Sequence, residues 1–125
     1  MNPLFDTTLK GTLGELIAQT HLLAHGVQAA PPIKDSGNDL IAVRGSAFRA
    51  VQVRTSARGL IRRPDADTLY HILAAAHLPF RDGAPLVSEA RVFLFPAEVV
   101  RELAGTVDQY PRALISDELV LKLWQ

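Results

Sequence analysis

The chain has no cysteine, so neither a disulfide nor a thiolate zinc site is available to it, a composition that fits a reducing cytoplasm. Its N-terminus carries no basic region followed by an apolar segment, and no apolar run approaches the ~18 residues that a membrane span requires. The expectation is an unexported, cytoplasmic protein with no membrane partner. Aromatic residues make up 6% of the chain and do not interleave with its arginines, which speaks against a stacking platform for single-stranded nucleic acid. There is no glycine-rich phosphate loop, no HExxH pair and no nucleophile elbow, so phosphate-loop NTPase, zinc-protease and acyl-transfer chemistry have no sequence support. Net charge is absent too, at +0, which at first sight argues against a polyanionic partner.

That neutrality hides a segregation. Residues 40–64 contain Arg44, Arg49, Arg54, Arg58, Arg62 and Arg63 and no acid, and the remainder of the chain is correspondingly acidic. With 125 residues, 48% of them hydrophobic and 21% charged, the sequence is long and apolar enough to bury a core. It has no repeat, low-complexity tract or linker, so residues 1–125 are read as one domain.

In chain order, Asp6, Thr7 and Thr8 are candidate N-caps for a helix on which Leu9, Leu13, Leu16, Ile17, Thr20 and Leu23 recur at helical spacing, with Gly26 as its stop. Gly11, Gly14 and Ala18 give this helix a small-residue face that allows close approach to a neighbour, with Glu15 beside it. Val27–Ala30 is a candidate short strand before Pro31-Pro32, and 33–38 is turn-like. Residues 56–67, with Gly59, Pro64 and three arginines, read as a mobile surface loop. Leu69 to Leu78 fits a buried strand by position and a short helix by its alanines, and the strand is preferred. Arg91–Phe95 reads as a buried strand, Pro96 as the N1 residue of a helix to about Ala104, and Ser116 as the cap of a final apolar turn or strand. The order implies a mixed sheet with helices packed against it, in two or three layers.

The most informative stretch is Ser36–Thr55, which reads as a hairpin. Asp39–Val43 forms one arm, Gly45-Ser46 the turn, and Phe48–Thr55, rich in Val, Phe and Thr, the other. Alternation of side chains puts Gln52 and Arg54 on one face. A turn centred on Gly45-Ser46 places Asp39 directly opposite Gln52.

Lys10-Gly11 and Gly14-Glu15 on the first helix, Ser36-Gly37-Asn38-Asp39-Leu40 opening a strand, and Gln52-Val53-Arg54-Thr55 on the next resemble the PD-(D/E)XK nuclease superfamily, especially its small Holliday-junction-resolvase-like and endonuclease-like members. The resemblance spans about residues 10 to 55. It implies an α/β, restriction-endonuclease-like fold: a mixed β-sheet with a central hairpin, flanked by helices. It further implies a Mg²⁺- or Mn²⁺-dependent endonuclease acting on DNA, with a homodimer as the usual assembly.

By that resemblance Glu15, Asp39, Gln52 and Arg54 are the candidate catalytic residues. Asp39 would be the principal metal ligand, joined by Glu15, the Gln52 side-chain oxygen and the Val53 carbonyl. Lys10, Arg58, Arg62 and Arg63 are candidates to bind nucleic acid, against the ordinary alternative that the loop arginines are solvated. Two departures stand out. Gln52 leaves the site one negative charge poorer than a glutamate would, and Arg54 stands where the pattern has lysine. A guanidinium stays protonated and cannot serve as a base, although it can hold phosphate. The alternative is that Arg54 salt-bridges Asp39 or Glu15 in a silent site, and that the domain binds nucleic acid or a protein partner. His21 and His25, four apart on the first helix, lack a third metal ligand, and His71 and His77 are expected to be buried with hydrogen-bond partners.

Overall fold

The computed structural model describes residues 7–33 and 39–125. A long helix, α1 (Thr7–Ala24), leads into a short strand β1 (Gln28–Ala30), and then into β2 (Leu40–Arg44) and β3 (Ala47–Ser56). After a segment without regular structure come β4 (Ile72–His77), a small hairpin of β5 (Phe80–Arg81) and β6 (Ala84–Pro85), and β7 (Arg91–Pro96). The helices α2 (Ala97–Val100) and α3 (Asp117–Leu123) complete the chain, with 3₁₀ turns at Val107–Gln109 and Pro111–Ala113 between them. Five strands form one mixed sheet in the order β1-β2-β3-β4-β7, in which only β3 and β4 run parallel.

The hairpin has the register that its turn dictates. Leu40 pairs with Val51 and Arg44 with Ala47, with Gly45 at φ +61° as the first turn residue, a conformation glycine adopts without steric cost. The 69–78 stretch is a strand from Ile72, and its alanines have a packing reason. β4 is central, so it is covered on both faces and reads as a continuous apolar run. Ile72, Ala74 and Ala76 pack with Val51, Val53, Val92 and Leu94 under α1, while Leu73 and Ala75 pack with Phe93, Phe95, Val100, Leu103 and Val107 on the other face. Helices on both faces make three layers. α3 joins the α1 side, where Trp124, only 2% exposed, donates from Nε1 to the Ala42 carbonyl at 3.1 Å.

Several sequence expectations need correcting. Thr7 and Thr8 lie within α1 rather than capping it, and Asp6 lies outside the described residues, as does most of the 33–38 turn. The helix after Pro96 is four residues long, with Pro96 as its N-cap rather than N1, and the chain then turns through Leu103 and Gly105. Residues 57–67 are tied down: Leu60 bridges to Thr106, Ile61 N donates to the Gly105 carbonyl, and Val107 N donates to the Gly59 carbonyl. His71 is exposed and His77 half-buried, yet both have partners. His71 Nδ1 accepts from Ala50 N at 2.8 Å, and His77 Nδ1 lies 2.9 Å from an Arg91 guanidinium nitrogen. The tail expectation holds, as Ser116 caps α3 by accepting from Leu119 N. Among the described residues, no helix is long and apolar enough to cross a membrane.

Candidate active site

The site originates in a mismatch of strand lengths. β2 begins at Leu40, opposite Val51, whereas β3 continues to Ser56, so among the described residues no strand lies on the β2 side of the stretch after Val51. Backbone groups alternate sides along a strand. Asp39 N donates to the Val51 carbonyl at 3.1 Å, so the next backbone pair to face the open side belongs to Val53. Side chains replace the missing strand there. The Val53 N–H donates to Asp39 Oδ2 at 2.8 Å, and the Val53 carbonyl accepts from Arg54 Nη1 at 3.2 Å. The bond from Val53 holds the Asp39 carboxylate at the edge of the sheet.

Helix α1 brings a second carboxylate to the same place. Gly14 is buried directly over Thr55, and a Cβ at Gly14 would stand 2.8 Å from the Thr55 Cβ and still closer to its hydroxyl. Only glycine permits that approach. The next residue, Glu15, lines the same cleft as Asp39 and lies near enough to feel its charge. Burial, and after it the charge of Asp39, pushes the Glu15 carboxyl above its usual range. Gly11 plays a different part from the one its spacing suggests: nothing lies within 4 Å of where its Cβ would be, and it borders open space.

These groups line a cleft of about 430 Å³ bounded by Lys10, Gly11, Glu15, Asp39, Val53, Arg54, Thr55, Arg62, Arg63 and Asp65. Glu15, Asp39, Val53, Arg54, Lys10, Arg62 and Arg63 were expected from the sequence to act together, and the fold brings them to one cavity. Arg58 does not line it, because its loop turns away through hydrogen bonds from Arg58 N and Leu60 N to Ser56 Oγ. Arg49, from the same basic window, is held elsewhere by the Leu123 and Gln125 carbonyls. Arg63 is anchored through a hydrogen bond to the Leu103 carbonyl.

Gln52 also stands apart from the cleft wall. It is buried, 6% exposed, on the sheet face opposite α1 and beside Leu73, and its Oε1 has no hydrogen-bond partner among the described residues. A buried amide oxygen left without a partner is costly. Arg54 forms no ion pair among the described residues, so the expected bridge to Asp39 or Glu15 is replaced by the bond to Val53. Two further residues belong to this environment and carry no motif. Asp65 adds a third acid to the cleft, and Tyr70 feels the Arg54 charge, which partly offsets the rise that burial imposes on its hydroxyl pKa. Asp65 could have been noticed as the first acid after the basic window; Tyr70 gives no such signal.

Of the remaining histidines, His25 Nδ1 sits 2.7 Å from Asp117 Oδ1, between α1 and α3. No group of three or more His, Cys, Asp or Glu able to hold a metal occurs among the described residues, so a cation here would depend on amide and carbonyl oxygens to complete the two carboxylates. The Glu15 and Asp39 carboxylates and the Val53 carbonyl are hard oxygen donors that line one cleft and fit such an ion, whereas the expected fourth ligand, Gln52 Oε1, lies outside that lining.

Two measurements probe this construction. Gly14→Ala is expected to lower unfolding free energy by about 1–3 kcal/mol, the overpacking cost exceeding the roughly 1 kcal/mol that alanine gains in helix propensity. Urea unfolding should show Thr55→Gly recovering part of that loss, and a Gly14→Ala protein as stable as wild type would contradict the contact. The raised Glu15 pKa has a definite sign. The contribution of Glu15 is most favourable below its unfolded pKa and is lost as pH rises through the folded value. In metal-free buffer the thermal midpoint of Glu15→Gln should therefore gain on wild type as pH rises above the ordinary glutamate pKa, and a difference independent of pH would contradict the raised Glu15 pKa.

No protein-family model matches the sequence, and no curated protein matches it. Among solved structures, the chain is similar to that of a bacterial homing endonuclease, I-Ssp6803I, at a TM-score of 0.57 and 19% identity, over 80% of this chain and 72% of that one. At that identity the likeness concerns the fold. The chain therefore has a nuclease-like fold, a mixed five-stranded sheet flanked by helices.

Proposed function

We propose that the cleft is the active site of a small PD-(D/E)XK-type endonuclease that hydrolyses DNA phosphodiester bonds with Mg²⁺ or Mn²⁺. The observation that carries this reading is that Glu15 and Asp39 line one cleft at the edge of β3, together with Val53. Asp39, Glu15 and the Val53 carbonyl would hold the ion. When bound, the metal polarises the scissile phosphate and lowers the pKa of a water, which is how phosphodiester hydrolysis becomes accessible at neutral pH.

The chain's own residues account for the rest. The Val53 N–H orients Asp39, and Gly14 lets α1 deliver Glu15. Lys10, Arg62 and Arg63 border the same cleft and would grip backbone phosphates, so binding should weaken steeply with salt. Arg54 stays protonated, so its part is to hold phosphate and offset transition-state charge rather than to accept a proton. The homing-endonuclease likeness supports the fold on which this chemistry would be built.

One observation favours a second reading. Arg54 Nη1 occupies the Val53 carbonyl, an oxygen the metal would use, as it would in a silent domain that binds nucleic acid or a protein partner through its basic residues. Cleavage of duplex, branched and single-stranded DNA in Mg²⁺ or Mn²⁺ separates the two. Wild type should cleave, Arg54→Lys should cleave faster, and Asp39→Ala should lose about 100-fold or more, the scale of several kcal/mol of metal-assisted stabilisation. Salt-sensitive DNA binding without cleavage would support the silent domain, and the absence of both would overturn both readings.

A further inference from the structure

The bond from Arg54 to Val53 has a consequence for how such a site would fill. Arg54 Nη1 reaches back to the carbonyl of its own neighbour at 3.2 Å, the long end of the hydrogen-bond range. Nothing else among the described residues pairs with it at ion-pair distance, so the guanidinium is placed but not locked. It is also permanently charged and lies in a cleft it shares with two carboxylates that burden each other. Arg54 thus adds a positive charge to the cleft lining without pairing with either carboxylate among the described residues, and a divalent ion entering the cleft would meet it.

The charge balance of the cleft points the same way. Among the described residues, four cationic side chains, Lys10, Arg54, Arg62 and Arg63, face three acidic ones, Glu15, Asp39 and Asp65. The lining is already positive by one, and a divalent ion entering alone would leave it at about +3, an accumulation that electrostatics opposes within a Debye length. A polyanion removes the obstacle. Its phosphates neutralise Lys10, Arg62 and Arg63 and offer Arg54 a stronger, charge-assisted acceptor than a backbone carbonyl.

We propose that Arg54 is a built-in counter-cation whose exchange from the Val53 carbonyl to a nucleic-acid phosphate couples metal loading to DNA binding, so that the site fills with ion and phosphodiester together. The inference rests on the metal-site reading above. It makes Arg54 a regulator of loading: the side chain guards an oxygen of the empty site and becomes a phosphate contact in the filled one. By linkage, the metal must tighten DNA binding by the same factor as DNA tightens metal binding.

Isothermal titration with Mn²⁺ reads this without any turnover. The proteins are wild type, Arg54→Ala, Arg54→Gln and Asp39→Ala, each alone and with a phosphorothioate-backbone duplex that keeps the charge and resists hydrolysis. Wild type alone should bind Mn²⁺ weakly and gain at least about fivefold with the duplex, within the usual span of coupled sites. Both neutral Arg54 variants should bind Mn²⁺ about tenfold tighter than wild type without duplex, and should gain less from adding it. Asp39→Ala should give no Mn²⁺ heat in either condition, which ties the signal to this cleft. Wild-type binding of Mn²⁺ with no change on neutralising Arg54, or with an equal duplex effect in all variants, overturns the coupling and leaves the metal site standing. No Mn²⁺ uptake by wild type or by either Arg54 variant, even with duplex, overturns the metal-site reading and the coupling with it.

Discussion

A strand that outruns its neighbour leaves backbone groups that must be satisfied, and β3 outruns β2 in the interior of the fold. Val53 presents an N–H and a carbonyl to an edge where no strand lies among the described residues, and a buried strand edge left unpaired costs about as much as lost hydrogen bonds. The chain answers with Asp39 on the donor and Arg54 on the acceptor. An acid and a base thus stand side by side for a structural reason before any chemistry is asked of them. The contact of Gly14 with Thr55 adds the third member by laying α1 close enough for Glu15 to meet Asp39.

The resulting centre is strained in charge rather than in geometry. Burial, and after it the charge of Asp39, raises the Glu15 pKa, and a buried amide oxygen faces no donor among the described residues. Each is a small loss of stability in the free protein, and a hard cation in the cleft would relieve the first. Stability given up at one place in an otherwise well-satisfied fold is the usual mark of a functional site. Arg54 moderates the loss without removing it, because one delocalised positive charge on a carbonyl does not reach the oxygen of Gln52.

Much of this was legible in the residues. The hairpin register followed from one turn, since Gly45 is the position that needs positive φ and everything across β2 and β3 is counted from it. The small face of α1 correctly announced a close approach, although only Gly14 makes it and Gly11 borders the cleft instead. What local pattern could not supply was tertiary. The strand preferred for 69–78 is correct, but its alanines keep a helix open until both faces of β4 are known to be covered. The helix after Pro96 ends early because the chain there must turn to pair with residues 59–61, a contact between segments far apart in sequence. The same pairing fixes the 57–67 loop, turns Arg58 away and holds Arg62 and Arg63 at the cleft. The partner of Arg54 was missed because a guanidinium near two acids suggests a salt bridge, whereas the unpaired Val53 carbonyl becomes visible only when the start of β2 is known.

The account comes down to whether the Glu15–Asp39 junction is a cation site. Diffraction from crystals containing Mn²⁺ and a duplex, recorded at the manganese absorption edge, tests it directly. The predicted result is one anomalous peak coordinated by the Glu15 and Asp39 carboxylates, with Arg54 released from the Val53 carbonyl. A map with duplex in the cleft, no anomalous peak at the two carboxylates and Arg54 still bonded to Val53 would contradict it.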